Sequence, residues 1–169
     1  MRIALRHLVL IAASLAAMTM ASPSAARAQS QDRDLIETIR STGGFTTFAR
    51  ALAEAGLTGI LTGPGPFTVL APTDAAFAKL PKATLDALFK DKAALRSMLL
   101  FHVIAGKLTA ADFAKLTGST RKTVEGTNTK VMVMGSTVMI GTANIVQSDI
   151  MASNGIVHGI DAVLLLPAR

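Results

Sequence analysis

Four side chains could do acid–base or metal chemistry: His102, His158, Asp161 and Asp74. His158 and Asp161 sit in the apolar run from Asn154 to Pro167. An ionisable group in such a run must be hydrogen-bonded or chemically active to offset its desolvation. A His–Asp pair on one face would be a proton relay. On a regular strand, residues three apart point to opposite faces, so this spacing predicts two separately satisfied polar groups. His102 is read the same way, because it continues the apolar stripe Leu95, Met98, Leu99.

Other chemistry finds less support. There is no cysteine and no G-x-S-x-G elbow, so no nucleophile and no catalytic residue is assigned. The His/Asp pool lacks ligand spacing such as H-x3-H or D-x-D-x-D, so no metal site is expected. Gly63-Pro64-Gly65-Pro66 lacks the lysine and the helix start of a phosphate cradle. Met132, Met134 and Met139 alternate on predicted hairpin strands, and strand-face packing explains them more simply than copper or redox work. No cofactor is expected.

The elements that must carry these residues change period part-way along the chain. Leu35, Ile36 and Ile39 predict a short amphipathic helix, and Phe45, Phe48, Leu52 and Ala55 a second one stopped by Gly56. Phe67–Leu70 reads as a strand bounded by Pro72. Thr73 or Asp74 caps a helix carrying Phe77 and Leu80 that Pro81 ends, and Thr84 caps the next, with Leu85, Leu88 and Phe89 on one face. A longer helix is expected from Lys92 to Val103 with Asp91 as N-cap, then a capping box at Thr109 and Asp112. After Gly118 the period becomes two. Thr123–Glu125 is a strand candidate, and Lys130–Met134, Gly135-Ser136 and Thr137–Ile140 form a hairpin. Strands are expected at 143–150 and 156–166, joined by an Asn154-Gly155 turn with positive φ available at both positions. Helices first and hairpin-linked strands later predict an α+β fold.

Residues 1–28 read as a cleavable signal peptide: Arg2, Arg6 and His7, an uncharged apolar stretch from Leu8 to Ala21, then Ala26-Arg27-Ala28. That stretch, about 14 residues long, is shorter than the roughly 20 needed to span a bilayer. The expected mature chain, 29–169, starts at Gln29 and forms a single domain that spans no membrane. It keeps 14 basic and 11 acidic side chains, a net of +3. The basic residues form no stripe, and Trp and Tyr are absent, which disfavours nucleic acid as a partner.

Three segments add up to something more specific: Phe67-Thr68-Val69-Leu70-Ala71-Pro72-Thr73-Asp74-Ala75-Ala76-Phe77, the pair Phe101-His102, and Asn154-Gly155-Ile156-Val157-His158 through Ile160-Asp161-Ala162-Val163-Leu164. In that order the chain resembles the fasciclin (FAS1) domain family over about residues 33–167. The resemblance implies a fasciclin-like fold, with N-terminal helices packed on a wedge of mostly antiparallel β-strands. It implies that the first and last motifs lie as neighbouring strands, with a motif histidine and aspartate in a shared hydrogen-bond network. Thr73, Asp74, His102, Asn154, His158 and Asp161 are then structural polar residues. Some adhesive members carry Glu-Pro-Asp-Ile-Met before the last motif, a segment proposed to bind integrins. Here Gln147-Ser148 replaces Glu-Pro, while Asp149, Ile150 and Met151 match, and Phe101 stands where the family has tyrosine. Asp149, Ile150, Met151 and Phe101 are the candidate interaction residues.

The function implied is an exported, periplasmic or secreted, non-catalytic adhesion or interaction module that binds a protein or an envelope or matrix component. Two other classes stand beside it. A carrier of a small apolar ligand, a pigment or lipid, is motivated by the apolar content and the Met-rich hairpin. An enzyme is the remote alternative.

Overall fold

The computed structural model describes residues 33–166. The expected leader at 1–28, the mature start at Gln29 and Pro167, where the apolar run from Asn154 ends, lie outside them.

The helices form where the apolar spacing places them. α1 (Leu35–Thr42) buries Leu35, Ile36 and Ile39, and its N-cap Asp34 accepts the Glu37 N–H at 2.8 Å. α2 (Thr46–Glu54) buries Phe48, Ala51 and Leu52, but its N-cap Phe45 offers no capping side chain. α3 (Thr58–Leu61) is one turn. β1 (Phe67–Pro72) leads into α4 (Asp74–Ala78), which Thr73 caps. α5 (Lys82–Lys90) begins directly after Pro81, so Thr84 falls inside the helix and does not cap it. α6 (Lys92–Phe101) is capped by Asp91, which accepts the N–H groups of Ala93 and Ala94, both at 3.0 Å. It ends two residues before the expected Val103. There Val103–Ala105 becomes β2 and pairs with β1. α7 (Ala110–Lys115) opens on the expected capping box of Thr109 and Asp112.

The strands that follow are β3 (Thr120–Lys122), β4 (Asn128–Met134), β5 (Thr137–Ile140), β6 (Ala143–Ala152) and β7 (Gly155–Ile160). The expected strand at Thr123–Glu125 lies three residues earlier, because Thr120–Lys122 pairs with Asn128–Lys130. The β4–β5 hairpin closes as expected, Met134 opposite Thr137. β7 stops at Ile160, and residues 161–166 run on without a strand partner, contrary to the strand expected to 166. Val163 and Leu164 are nevertheless buried, which explains their apolar character without a ladder.

The seven strands are ordered β2-β1-β7-β6-β5-β4-β3. Every neighbouring pair is antiparallel except β1–β7, which runs parallel from Phe67 opposite Gly155 to Pro72 opposite Ile160. The first and last motifs are therefore neighbouring strands. The two ends of the sheet meet: Ile104 of β2 bridges Thr123, and the Val124 N–H donates to the Val103 carbonyl at 2.7 Å. This closure wraps the sheet around one core that includes Leu70, Phe101, Phe113, Val131 and Ile160. A second core lies between the helices and the other face of the central pair, where Phe45, Phe48, Leu99, Val69 and Val157 meet. Alternation along β1 and β7 sends successive side chains to opposite cores.

Candidate functional site

The motif residues flank the β1–β7 pair. His158 stands on β7 between buried neighbours and is fully buried. Its Nδ1 accepts the Asp149 N–H at 3.3 Å, so the proton resides on Nε2, which donates to the Leu108 carbonyl at 2.8 Å. Phe113 meets the ring edge-on at 5.4 Å. Burial lowers the His158 pKa, against the opposing pull of the Leu108 bond and the Asp149 charge.

His102 caps the C-terminus of α6 and is likewise fully buried. Its Nε2 accepts the Leu164 N–H at 3.0 Å, so Nδ1 carries the proton and donates to the Met98 carbonyl at 2.7 Å. Burial pushes its pKa down from 6.5 to about 4, although the Met98 bond favours the proton. Both imidazoles are thus neutral at pH 7, and each uses both nitrogens on backbone partners.

The carboxylates serve other segments. Asp161 lies just past the end of β7. It accepts the Asn144 N–H at 2.8 Å and the Asn144 side-chain amide at 3.0 Å. The Lys79 ammonium donates to the Asp161 carbonyl at 2.9 Å and lies 3.8 Å from the carboxylate. Burial raises the Asp161 pKa, but the Asn144 bonds and Lys79 together hold it below its ordinary value. Asp74 reaches across to α2 and accepts the N–H groups of Thr47 at 2.8 Å and Thr46 at 3.3 Å. It supplies the cap that Phe45 lacks. Burial works against ionisation there too, yet the Thr47 and Thr46 bonds win and lower the pKa.

Asn154 joins three segments. Its side chain accepts the Leu35 N–H at 3.0 Å and donates to the carbonyls of Leu61 at 2.6 Å and Gly63 at 3.0 Å. Neither Asn154 nor Gly155 has positive φ, so this turn is held by side-chain bonds rather than by left-handed backbone. Thr73 accepts the Ala76 N–H at 3.2 Å, and its own N–H donates to the Ile160 carbonyl at 3.1 Å.

Among the described residues, no hydrogen bond joins His102, His158, Asp74 and Asp161 to one another. In place of the histidine–aspartate network implied by the resemblance, each group makes separate bonds, the histidines and Asp74 to backbone and Asp161 to Asn144 and Lys79. With its strand already ended, Asp161 turns to β6 and not toward His158. Among the described residues, no group of three or more His, Cys, Asp or Glu could hold a metal.

The interaction candidates divide. Phe101 is buried in the core enclosed by the sheet, only 6% exposed. Ile150 packs against the helical core and Met151 is half-buried. Asp149 is exposed, in a β6 irregularity where the register to β7 shifts between Gln147 and Ile150. Among the described residues it is the one non-glycine with positive φ, at 58°. Its carboxylate accepts the N–H of Ala110, the first residue of α7, at 2.9 Å. Thr68 was not singled out by the sequence. It is buried on β1, donating to the Gly106 carbonyl at 2.7 Å and accepting the Leu108 N–H at 2.9 Å. A β-branched residue in an apolar strand reads as a strand former, which hides that role.

Comparison with known proteins agrees with this arrangement. The fasciclin domain model matches residues 43–167. The chain belongs to the fasciclin family. An uncharacterized protein of Synechocystis sp. is 41% identical over 133 residues, 79% of this chain and 98% of that protein. Immunogenic protein MPB70 of Mycobacterium bovis is 38% identical over 104 residues, 62% of this chain and 52% of that protein. Human periostin is 31% identical over 137 residues, 81% of this chain but only 16% of periostin. The fold matches a solved FAS1 domain pair from the insect cell adhesion molecule Fasciclin I with TM-score 0.66 and 20% identity, over 79% of this chain and 51% of that one. Fasciclin motifs in this chain thus occupy the central strand pair and the segments bonded to it. Among the described residues, no helix is long and apolar enough to cross a membrane.

Proposed function

We propose that this fasciclin domain is an exported, non-catalytic interaction module that binds a protein or an envelope or matrix component in a periplasmic or extracellular setting. One observation carries the reading. Both buried imidazoles spend both nitrogens on backbone groups, and Asp74 and Asp161 spend their carboxylates on N–H donors. Such a set holds segments together and offers no free base to a substrate. Thr73, Asp74, His102, Asn154, His158 and Asp161 act as fold-fixing residues in this reading.

The contact surface is drawn around the exposed β6 run Val146–Asp149, leading into Ile150 and Met151. Val146 is 54% exposed, and within this run only Gln147 keeps a ladder partner on β7, Gly159, with the register shifting on either side of it. The Met-rich hairpin lends the apolar-carrier reading no support, since Met132, Met134 and Met139 face outward on β4 and β5.

Retention of the full chain on cells, matrix proteins and polysaccharides, against an unrelated exported domain, tests the proposal. Retention above the control is expected, and it should weaken on Val146→Ser without a change in melting. Equal retention of both proteins would overturn it, as would an enzymatic activity lost on His102→Ala or His158→Ala with melting unchanged.

A further inference from the structure

The β4–β5 hairpin divides its side chains sharply by face. Toward the enclosed core it presents Val131, Val133, Val138 and Ile140, paired Val131 with Ile140 and Val133 with Val138. These are the β-branched residues a packed strand favours. The outer face carries Met132, Met134 and Met139. None of the three belongs to either core, whereas Met98 on α6 is buried in one. Met134 is 63% exposed, and Met132 and Met139 are half-buried. Core packing therefore accounts for the inner face and leaves the outer methionines unexplained.

Register brings the three thioethers together. Met132 and Met139 are direct cross-strand partners. Directly opposed residues hold their Cβ atoms roughly 4.5–5.5 Å apart. Met134 follows Met132 by two positions and so shares its face, roughly 7 Å along the strand. Each side chain has three rotatable bonds, enough for the sulfurs to converge above the hairpin. Thioether sulfur is a soft, uncharged donor that carries no proton. It disfavours hard cations such as Mg(II) and Ca(II) and suits Cu(I). Lys130 stands two residues before Met132 on the same face and is exposed. A monovalent ion meets less repulsion there than a divalent one.

We infer that Met132, Met134 and Met139 form a surface site for a soft monovalent cation, Cu(I), bound by three thioethers. The site binds the ion as received and requires no change in its oxidation state. Because no ligand must lose a proton, affinity is constant from about pH 7 to about pH 5, unlike that of a histidine or thiolate site.

Ag(I), a redox-inert stand-in for Cu(I), titrated into the full chain with methionine methyl groups isotope-labelled for NMR, tests this. The expected result is saturation at one ion per chain. The methyl signals of Met132, Met134 and Met139 should move together, while those of Met98 and Met151 stay in place. Replacing all three with leucine should abolish binding and leave the thermal melt unchanged. Met134→Leu alone, at the most exposed position, should weaken binding about tenfold or more. No movement of these methyl signals would overturn the inference, as would equal movement of all methionines. Wild-type binding by a folded leucine variant, or a histidine-like loss of affinity at pH 5, would do the same.

Discussion

The Leu164 N–H donates to Nε2 of His102 across 3.0 Å and 62 residues of sequence. This bond fastens the segment after β7 to the end of α6. It places Val163 in the helical core and Leu164 in the core enclosed by the sheet. The bond requires a neutral imidazole, since a protonated ring would present a second donor to the Leu164 N–H.

Stability should therefore fall in mild acid. Burial lowers the His102 pKa from 6.5 to about 4, so the unfolded chain takes up the proton first. The contribution of His102 is complete above pH 6.5, is lost as the pH falls toward 4, and is constant below that. The loss is about 3 kcal/mol across the window. His158, also lowered by burial, adds to it in the same direction. Asp74 and Asp161, held below 3.8 despite burial, lose their contributions only at still lower pH. Urea denaturation at a series of pH values measures this, and a midpoint unchanged between 6.5 and 4 would contradict it.

Asp74→Ala should destabilise the domain by about 1–2 kcal/mol, the cost of losing a helix cap. The effect belongs to α2 more than to α4, because Asp74 bonds Thr46 and Thr47 while Thr73 caps α4. Hydrogen exchange should therefore show faster opening of the first turn of α2. Asp74→Asn keeps an acceptor and should cost less.

Gly155 and Gly159 face the helical core from β7, yet their replacements should differ. A Cβ at Gly155 would lie 2.1 Å from the Phe67 carbonyl oxygen, a backbone atom of the paired strand. At Gly159 it would meet the Phe45 ring tip at 2.9 Å and the Gln147 Cβ at 3.1 Å, side-chain atoms rather than backbone. Gly155→Ala is expected to cost about 3 kcal/mol or more, and Gly159→Ala clearly less. Thermal melts of the two variants check the order.

Asp149 combines a left-handed backbone with a cap on α7. Asp149→Asn keeps an acceptor and tolerates this φ. Asp149→Gly relaxes the backbone but loses the bond. Asp149→Ala loses the bond and keeps the strain, and should fall about 1 kcal/mol below the glycine variant. Urea midpoints in the order Asn, Gly, Ala would show a structural role; three equal midpoints would leave the carboxylate free for a partner.

Local patterns were legible where local forces decide. Leu35, Ile36 and Ile39 show α1, and the alternation around Gly135-Ser136 shows the hairpin. The misses lie where distant partners decide. Val103 continues an apolar helical stripe, yet the edge of β1 claims it for β2. Strands as short as Thr120–Lys122 take their position from their neighbours. Val163 and Leu164 are as apolar as a strand but are buried from a segment held by His102, which hydropathy does not distinguish. Asp74 reads as the opening of its own helix, whereas its carboxylate caps one 27 residues earlier. Phe101, matched to a family aromatic, is a core residue because the sheet closes over it.

The parallel pairing of β1 with β7 joins residues 67–72 to residues 155–160, the last strand of the domain. Both cores share this pair, so neither can be completed while β7 is still unsynthesised. Folding of the domain must wait until β7 has been made, and a truncation before Gly155 should leave a collapsed but unfolded polypeptide. A domain built this way stays an unfolded thread until its last strand is made.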